Sequence, residues 1–363
     1  MQSKNYSDKN HRIKMTYYEK YMKRCIQLAN NGLGATYPNP MVGSVVVFED
    51  SILGEGWHQK AGKPHAEVNA IDSVKNKNLL SKSTIFVSLE PCSHFGKTPP
   101  CADLIIKHGI PKVVIGTTDP FAKVCGNGIK KLKEAGCEVI VGVLEDECQE
   151  LNKRFFTFHQ KKRPYIFLKW AETSNKFIAP EQKKEVNPHW ITNLFSRQYT
   201  HKIRSKEEAI LVGTNTVLHD NPKLDTRHWQ GKNPLRVIID RELKTPKKFS
   251  VWDESTDTIF ITEKRENAKF KNTFFENICF SENIAEQICR ILYKKGIQSL
   301  IVEGGRNVLQ QFIDAKLWDE AFVFIGKSTF KNGIKAPALK DASLQKTMLF
   351  GEDHLFIYKN SQQ

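Results

Sequence analysis

His65, Glu67, Cys92 and Cys101 are the side chains of this 363-residue chain whose types and spacing could do chemistry together. A catalytic zinc takes about three protein ligands and keeps one position open for water. One imidazole and two thiolates supply those three donors. Glu67, two residues past His65, can reach a water on the metal without itself being a ligand. Zinc lowers the pKa of such a water towards neutrality, so that it can attack an amine-bearing ring carbon. A carboxylate beside it can carry the proton to the departing ammonia, an arrangement that zinc nucleobase deaminases share. A competing reading is a structural zinc closed by His94 as a fourth ligand. A Cys92–Cys101 disulfide does not suit a reducing compartment. Cys25, Cys125, Cys137, Cys148, Cys279 and Cys289 show no metal-ligand spacing and read as small core residues.

The elements expected around these residues put them where they could act. "HAEVNAIDSV" reads as a helix start, "STIFVSLEP" as a buried strand and "CADLIIKHG" as a helix. His65 and Glu67 then open one helix, while the two cysteines follow a strand and open another, where a helix N-terminus stabilises thiolate. Upstream, residues 17–30 have helical spacing with stop signals at Gly32 and Gly34, and "VGSVVVFEDSILGEGW" reads as a hairpin around an Asp-Ser turn. "KVVIGTTDP", "GNGIKKLKEAG" and "CEVIVGV" continue as strand, helix and strand, which makes a layered α/β domain. The basic stretch "NKRFFTFHQKKRP", residues 152–164, interrupts the alternation as a candidate linker whose phenylalanines pack. A second αβ series runs from "YIFLKWA" to "EAFVFIG", with no repeat between the halves and no low-complexity tract. The expected domains are residues 15–158 and 159–361.

Composition bounds the function. A chain of this length exceeds what one core usually supports, and 40% apolar with 26% charged residues describes an ordinary globular protein. No apolar run reaches the length of a membrane span, and the basic, polar first twenty residues hold no apolar signal core, so the expected compartment is the cytoplasm. The net charge of +15 is spread along the chain as a solvated lysine-rich surface. It forms no aromatic-basic stripe of the kind that binds single-stranded nucleic acid.

Eight residues separate Cys92 from Cys101, against two in the nucleobase-deaminase signature. With this insertion, "TYPNPMVGSVVV", "GEGWHQKAGKPHAEVNAI", "LEPCSHFGKTPPC" and "TTDP" resemble the deaminase half of the bifunctional riboflavin-biosynthesis deaminase/reductase family. The resemblance implies a cytidine-deaminase-like three-layer α/β/α domain with zinc on His65, Cys92 and Cys101 and Glu67 as proton shuttle. It also implies pyrimidine and phosphate contacts from Asn39, His58, His94, Lys97 and Asp119. These fit the residue types: an Asn between prolines is held rigidly, and a lysine in a Gly-flanked loop can meet a phosphate as a point charge.

"LKWA", "WIT", "SRQYTHKIRS", "AILVGTNTVLHDNPKLDTR", "NPLRVIID" and "SLIVEGGRNVLQQF" are similar to the reductase half of the same family. The implied domain is α/β with the dihydrofolate-reductase-like fold and uses NADPH. The cofactor contacts this implies are Lys169, Trp190, Thr216, Asp220 and the Gly304–Gly305 turn. Substrate contacts are implied for Arg204, Leu224, Arg227 and Glu303, and two guanidinium forks suit a sugar phosphate. Two departures stand out. Where the family has Ser-x-Asp-Gly, this chain has "TSNK", Thr173 to Lys176, and Pro188 replaces a substrate-touching serine.

The expected function is deamination of a diaminopyrimidine ribosylamino phosphate, then reduction of its ribosyl group to ribityl. Zinc and NADPH are the cofactors, and the partners are a phosphorylated pyrimidine and further copies of the chain, without nucleic acid or membrane. The rivals are a deaminase with a non-catalytic second domain and a nucleic-acid-editing deaminase.

Overall fold

A computed structural model of the chain describes residues 15–93, 99–121, 126–181, 186, 189–266 and 269–362. They divide into two compact units: the chain up to Leu33 with Met41–Asn152, and Gly34–Pro40 with Lys153–Gln363.

In the first unit, α1 (Tyr17–Ala29) starts at Thr16, whose hydroxyl accepts from the Glu19 amide while the Glu19 carboxylate accepts from Thr16 N, a reciprocal cap. Its Tyr21, Met22, Cys25 and Leu28 face β1 (Gly43–Phe48). Gly43 permits this approach, because a Cβ there would lie 2.0 Å from the Cys25 carbonyl oxygen. β1 turns into β2 (Ser51–Trp57) through Glu49 and Asp50, both in the left-handed region at φ 44° and 57°, as a two-residue hairpin needs. The expected hairpin is present, with its turn one residue earlier than Asp-Ser. There follow α2 (Ala66–Ser73), β3 (Thr84–Leu89), α3 (Cys101–Lys107), β4 (Lys112–Thr117), α4 (Asn127–Glu134), β5 (Glu138–Val141) and α5 (Glu145–Leu151).

The sheet order is β2-β1-β3-β4-β5, antiparallel at the hairpin side and parallel from β3 to β5. One face packs on α1 and Cys148 of α5, the other on Ala70 and Ile71 of α2, Ala102 and Ile105 of α3 and Leu132 of α4. This is the three-layer α/β/α arrangement.

The second unit begins with α6 (Lys153–Lys161), which corrects the linker reading of residues 152–164. Phe155 and Phe156 are buried, and Arg154 forks onto Glu207, so apolar burial and paired charge hold this basic stretch as a helix. The expected boundary between residues 158 and 159 falls inside α6. Then come β6 (Tyr165–Thr173), β7 (Phe177–Pro180), α7 (Leu194–Arg204), β8 (Ala209–Gly213), α8 (Thr214–Asp220), β9 (Leu235–Ile239), β10 (Thr258–Thr262) and β11 (Thr273–Asn277). The chain continues through α9 (Ile284–Lys294), β12 (Ser299–Gly304), α10 (Arg306–Asp314), β13 (Glu320–Gly326), β14 (Gly333–Lys335), β15 (Ala342–Phe350) and β16 (Asp353–Asn360).

The large sheet runs β11-β10-β9-β8-β12-β6-β13-β16-β15, parallel as far as β13 and antiparallel at the β16–β15 hairpin. Ile288 and Leu292 of α9 and Leu309 and Phe312 of α10 cover one face. Ile203 of α7 and Val217 of α8 cover the other. In this unit's Gly34–Pro40 segment, the Tyr37 hydroxyl donates to Lys206 O and Pro38 O accepts from Gln298 Nε2 at 2.6 Å. Among the described residues no helix is long and apolar enough to cross a membrane.

Candidate active sites

In the first unit, His65 caps α2 and Glu67 lies in its first turn, while Cys92 follows β3 and Cys101 opens α3. The fold brings His65 Nδ1 to 3.6 Å from Cys92 Sγ and 3.3 Å from Cys101 Sγ, and the three donor atoms lie within 4.8 Å of one another. Ala102 N donates to Cys92 O, and Cys101 N donates to Cys92 Sγ at 3.3 Å, so the α3 start holds the first thiol in place.

The electrostatics suit a metal. A hydrogen bond from the Cys101 thiol, with His65 alongside, pulls Cys92 down to about 4. The same bond and burial push Cys101 up, so the two sulfurs share one proton. Zinc would displace it, because a coordinating thiol is deprotonated outright. Glu67 is 3% exposed, and burial followed by the Cys92 charge raises its carboxyl to about 7.

His58 joins this cluster. It is buried, its ring packs edge-on to His65 at 5.4 Å, and Nδ1–H donates to Pro64 O, which leaves Nε2 as the acceptor nitrogen. Burial lowers its pKa against the pull of the Pro64 hydrogen bond. Asp119 is buried just past β4, where its Oδ1 accepts from Phe121 N. Asn39 lies in the Gly34–Pro40 segment of the second unit, its amide donating to Thr36 O. His94, Lys97, Cys125 and Pro188 lie outside the described residues, and so does the test of His94 as a fourth ligand.

The second unit assembles a charged cluster from distant parts of the chain. Arg204, at the end of α7, donates from Nε and Nη2 to both Glu303 oxygens at 2.9 and 2.7 Å. Lys169 Nζ of β6 lies 3.7 Å from the same carboxylate and 5.6 Å from the Phe324 ring centre. Burial alone would raise Glu303, but Arg204 and Lys169 hold it down at about 2. Burial and Arg204 lower Lys169 against the pull of Glu303.

Leu224 is 2% exposed with φ 53°, a left-handed conformation costing a leucine about 1–2 kcal/mol, and such strain concentrates at functional turns. The next carbonyl, Asp225 O, accepts from Arg204 Nη1 and from His201 Nδ1 at 2.8 Å. Arg227 is exposed and pairs with the Asp225 carboxylate.

Gly304 and Gly305 end β12 and cap α10. A Cβ on either would come within 3.0 or 3.3 Å of Thr216 Oγ1, in the first turn of α8. Two helix starts meet here at the carboxyl ends of parallel strands, a place suited to phosphates. Asp220 closes α8. Trp190 is 52% exposed, with the Arg197 guanidinium 4.5 Å above its ring.

The "TSNK" departure keeps its turn. Asn175 Oδ1 accepts from Phe330 N and its Nδ2 donates to Phe330 O, so the side chain pairs like a backbone strand. Lys176 takes a left-handed conformation at φ 70° and reaches the buried Glu172 carboxylate at 2.7 Å.

Spacing alone missed His201, which is 3% exposed. Burial pushes its pKa down to about 4, with Arg204 adding to the effect. An unfolded histidine titrates near 6.5, so as pH falls below about 6.5 the unfolded state takes up protons first. His201 therefore removes stability as pH falls towards 4, by up to about 1.4 kcal/mol per unit. Urea unfolding at about pH 7 and pH 5 should show a smaller acid loss in His201→Gln than in the unsubstituted chain. Equal losses would contradict this.

Comparison with known proteins first gives the class. Residues 15–117 match the family described as cytidine and deoxycytidylate deaminase zinc-binding region, and residues 164–330 match the RibD C-terminal domain. The chain thus joins a zinc-binding deaminase unit to a reductase unit. It is 40% identical to the riboflavin biosynthesis protein RibD of Aquifex aeolicus, over 93% of this chain and 97% of that one. It is 36% identical to RibD of Actinobacillus pleuropneumoniae, over 93% and 94%. The crystal structure of a diaminohydroxyphosphoribosylaminopyrimidine deaminase/5-amino-6-(5-phosphoribosylamino)uracil reductase from Thermotoga maritima superposes with a TM-score of 0.85 at 40% identity, covering 94% of this chain and 98% of that one. Acinetobacter baumannii RibD gives 0.83 at 27% identity, covering 95% and 99%. The chain belongs to the RibD family of riboflavin biosynthesis proteins.

Proposed function

We propose that the chain deaminates a diaminopyrimidine bearing a ribosylamino phosphate and then reduces the ribosyl group to ribityl. The observation that carries the first step is the convergence of His65, Cys92 and Cys101 within 4.8 Å beside a buried Glu67. Three donors fit a catalytic zinc, which activates water at neutral pH. Glu67 is placed to take a proton from the incoming water and deliver it to the leaving amine. His58, whose Nδ1 donates to Pro64 O, and Asp119, whose Oδ1 accepts from Phe121 N, are the proposed contacts to the pyrimidine. Asn39, His94 and Lys97 remain in this reading as substrate contacts, Lys97 to the phosphate.

For the second step the Gly304–Gly305 turn and Thr216 suit a dinucleotide phosphate, and Lys169, Trp190 and Asp220 complete the proposed cofactor contacts. NADPH supplies the hydride. Arg204, Leu224, Arg227 and Glu303 hold the sugar phosphate, with Arg204 fixed by both carboxylate oxygens of Glu303. This preformed cluster favours a working reductase over a non-catalytic second domain. A homo-oligomer belongs to the same reading, supported by the edge strand β15, which leaves Leu344 and Leu349 exposed.

Zinc removal tests the assignment. Dialysis against a chelator should abolish deamination and spare reduction of the deaminated intermediate, and added zinc should restore deamination. Deamination that survives a metal-free preparation would contradict it.

A further inference from the structure

Glu90 sits between β3 and the metal-ligand Cys92 and is 4% exposed. A buried carboxylate is costly unless it is charge-paired or fully hydrogen-bonded. Here backbone amides satisfy it. Oε2 accepts from Asp119 N at 3.3 Å and Gly126 N at 3.0 Å. Oε1 accepts from Gly128 N at 2.9 Å and Ile129 N at 3.3 Å. Three of these donors lie at the start of α4, whose amide ends favour an anion.

The approach is close on both sides. Gly126 takes φ 76°, and a Cβ on Gly128 would lie 2.1 Å from Pro91 O. The Glu90 amide also donates to Thr117 O, tying the same residue to the end of β4. The side chain thus holds the backbone of Asp119 and the first turn of α4, next to the turn carrying Cys92 that the Glu90 amide ties to β4.

We infer that Glu90 is a positioning residue of the deaminase site, holding the Asp119 backbone and the α4 start in register with Cys92 through these four amides. The inference rests on the reading that Asp119 faces the substrate. Glu90 itself touches neither metal nor substrate. It acts by keeping a substrate-facing carboxylate at a set place relative to the ligand turn.

Glu90→Gln keeps the size but turns an NH2 group towards two N–H donors, so two of the four bonds are lost whichever way the amide lies. Glu90→Asp keeps the charge on a side chain one methylene shorter. In the full, zinc-loaded chain, Glu90→Gln should raise the deaminase KM roughly tenfold or more. Its kcat should change less than about threefold. Zinc content and reductase turnover of the deaminated intermediate should stay at the unsubstituted level, and Glu90→Asp should fall between. Amide hydrogen exchange in peptides spanning Thr117–Phe121 and Gly126–Leu132 should accelerate in Glu90→Gln, with no change in the second unit.

Unchanged KM with unchanged exchange would overturn the inference. So would loss of zinc and kcat at constant KM, which would make Glu90 a support of the metal alone. If the unsubstituted chain fails to deaminate the substrate, the proposed function falls, and the exchange comparison by itself decides for or against Glu90.

Discussion

Glu67→Gln is expected to lower deaminase turnover by roughly 10²- to 10⁴-fold, the range a positioned general acid/base contributes. The substitution preserves volume in a site where the side chain is 3% exposed, so packing should survive. It leaves His65, Cys92 and Cys101 untouched, and zinc content should therefore match the unsubstituted protein. What disappears is the group that moves a proton between water and the leaving amine. Burial, and after it the Cys92 charge, raises this carboxyl above its ordinary value. Reduction of the deaminated intermediate should be unchanged, because the Glu303 cluster belongs to the other compact unit. Steady-state assays of each half-reaction would check this. A Glu67→Gln protein keeping more than about a tenth of its deaminase turnover would remove Glu67 from the mechanism.

The second large effect is expected at Arg204. Removing one partner of a buried ion pair strands the other and typically costs about 3–5 kcal/mol. Arg204→Ala should destabilise the second unit by that amount and abolish reduction while leaving deamination in place. Among the described ion-pair partners Glu303 would keep Lys169, at 3.7 Å, and Asp225 O would lose one of its donors.

Glu303 is held at about 2, against an unfolded value near 4.3. Its depressed pKa contributes stability that is fully present above about pH 4.3 and lost as pH falls towards 2, so the effect should be constant through neutral pH. Arg204→Lys separates folding from positioning. It keeps the charge and most of the stability, but loses the fork that fits both carboxylate oxygens. Reduction should therefore fall nearly as far as in Arg204→Ala. Urea unfolding together with single-substrate reductase kinetics measures both effects, and a fully active Arg204→Lys would contradict the assigned role.

The metal site was legible because its parts are local. His65 and Glu67 share one helix start, the two cysteines flank one loop, and strand–helix alternation alone placed that loop between a buried strand and the helix after it. The hairpin at Glu49–Asp50 was legible for the same reason. The Arg204–Glu303–Lys169 cluster was not legible from spacing, because three elements far apart in the chain build it and only the family resemblance pointed there. His201 and Glu90 act through backbone groups, which leave no mark in a residue pattern.

Residues 152–164 looked like a linker because their charge hid the helical placement of Phe155 and Phe156. The β15–β16 hairpin is only half legible in the sequence, because β15 is an exposed edge with little apolar alternation, although "HLFIY" after Gly351 carries a strand signal. "TSNK" lacks the family's carboxylate and glycine, and the turn it forms is held by Asn175 pairing both ways with Phe330.

The most direct test of the account is product analysis by mass spectrometry of the zinc-loaded chain acting on the diaminopyrimidine ribosylamino phosphate, once without NADPH and once with it. The account predicts the deaminated compound alone in the first reaction and a deaminated, ribityl product in the second. Unchanged substrate in both reactions would contradict it.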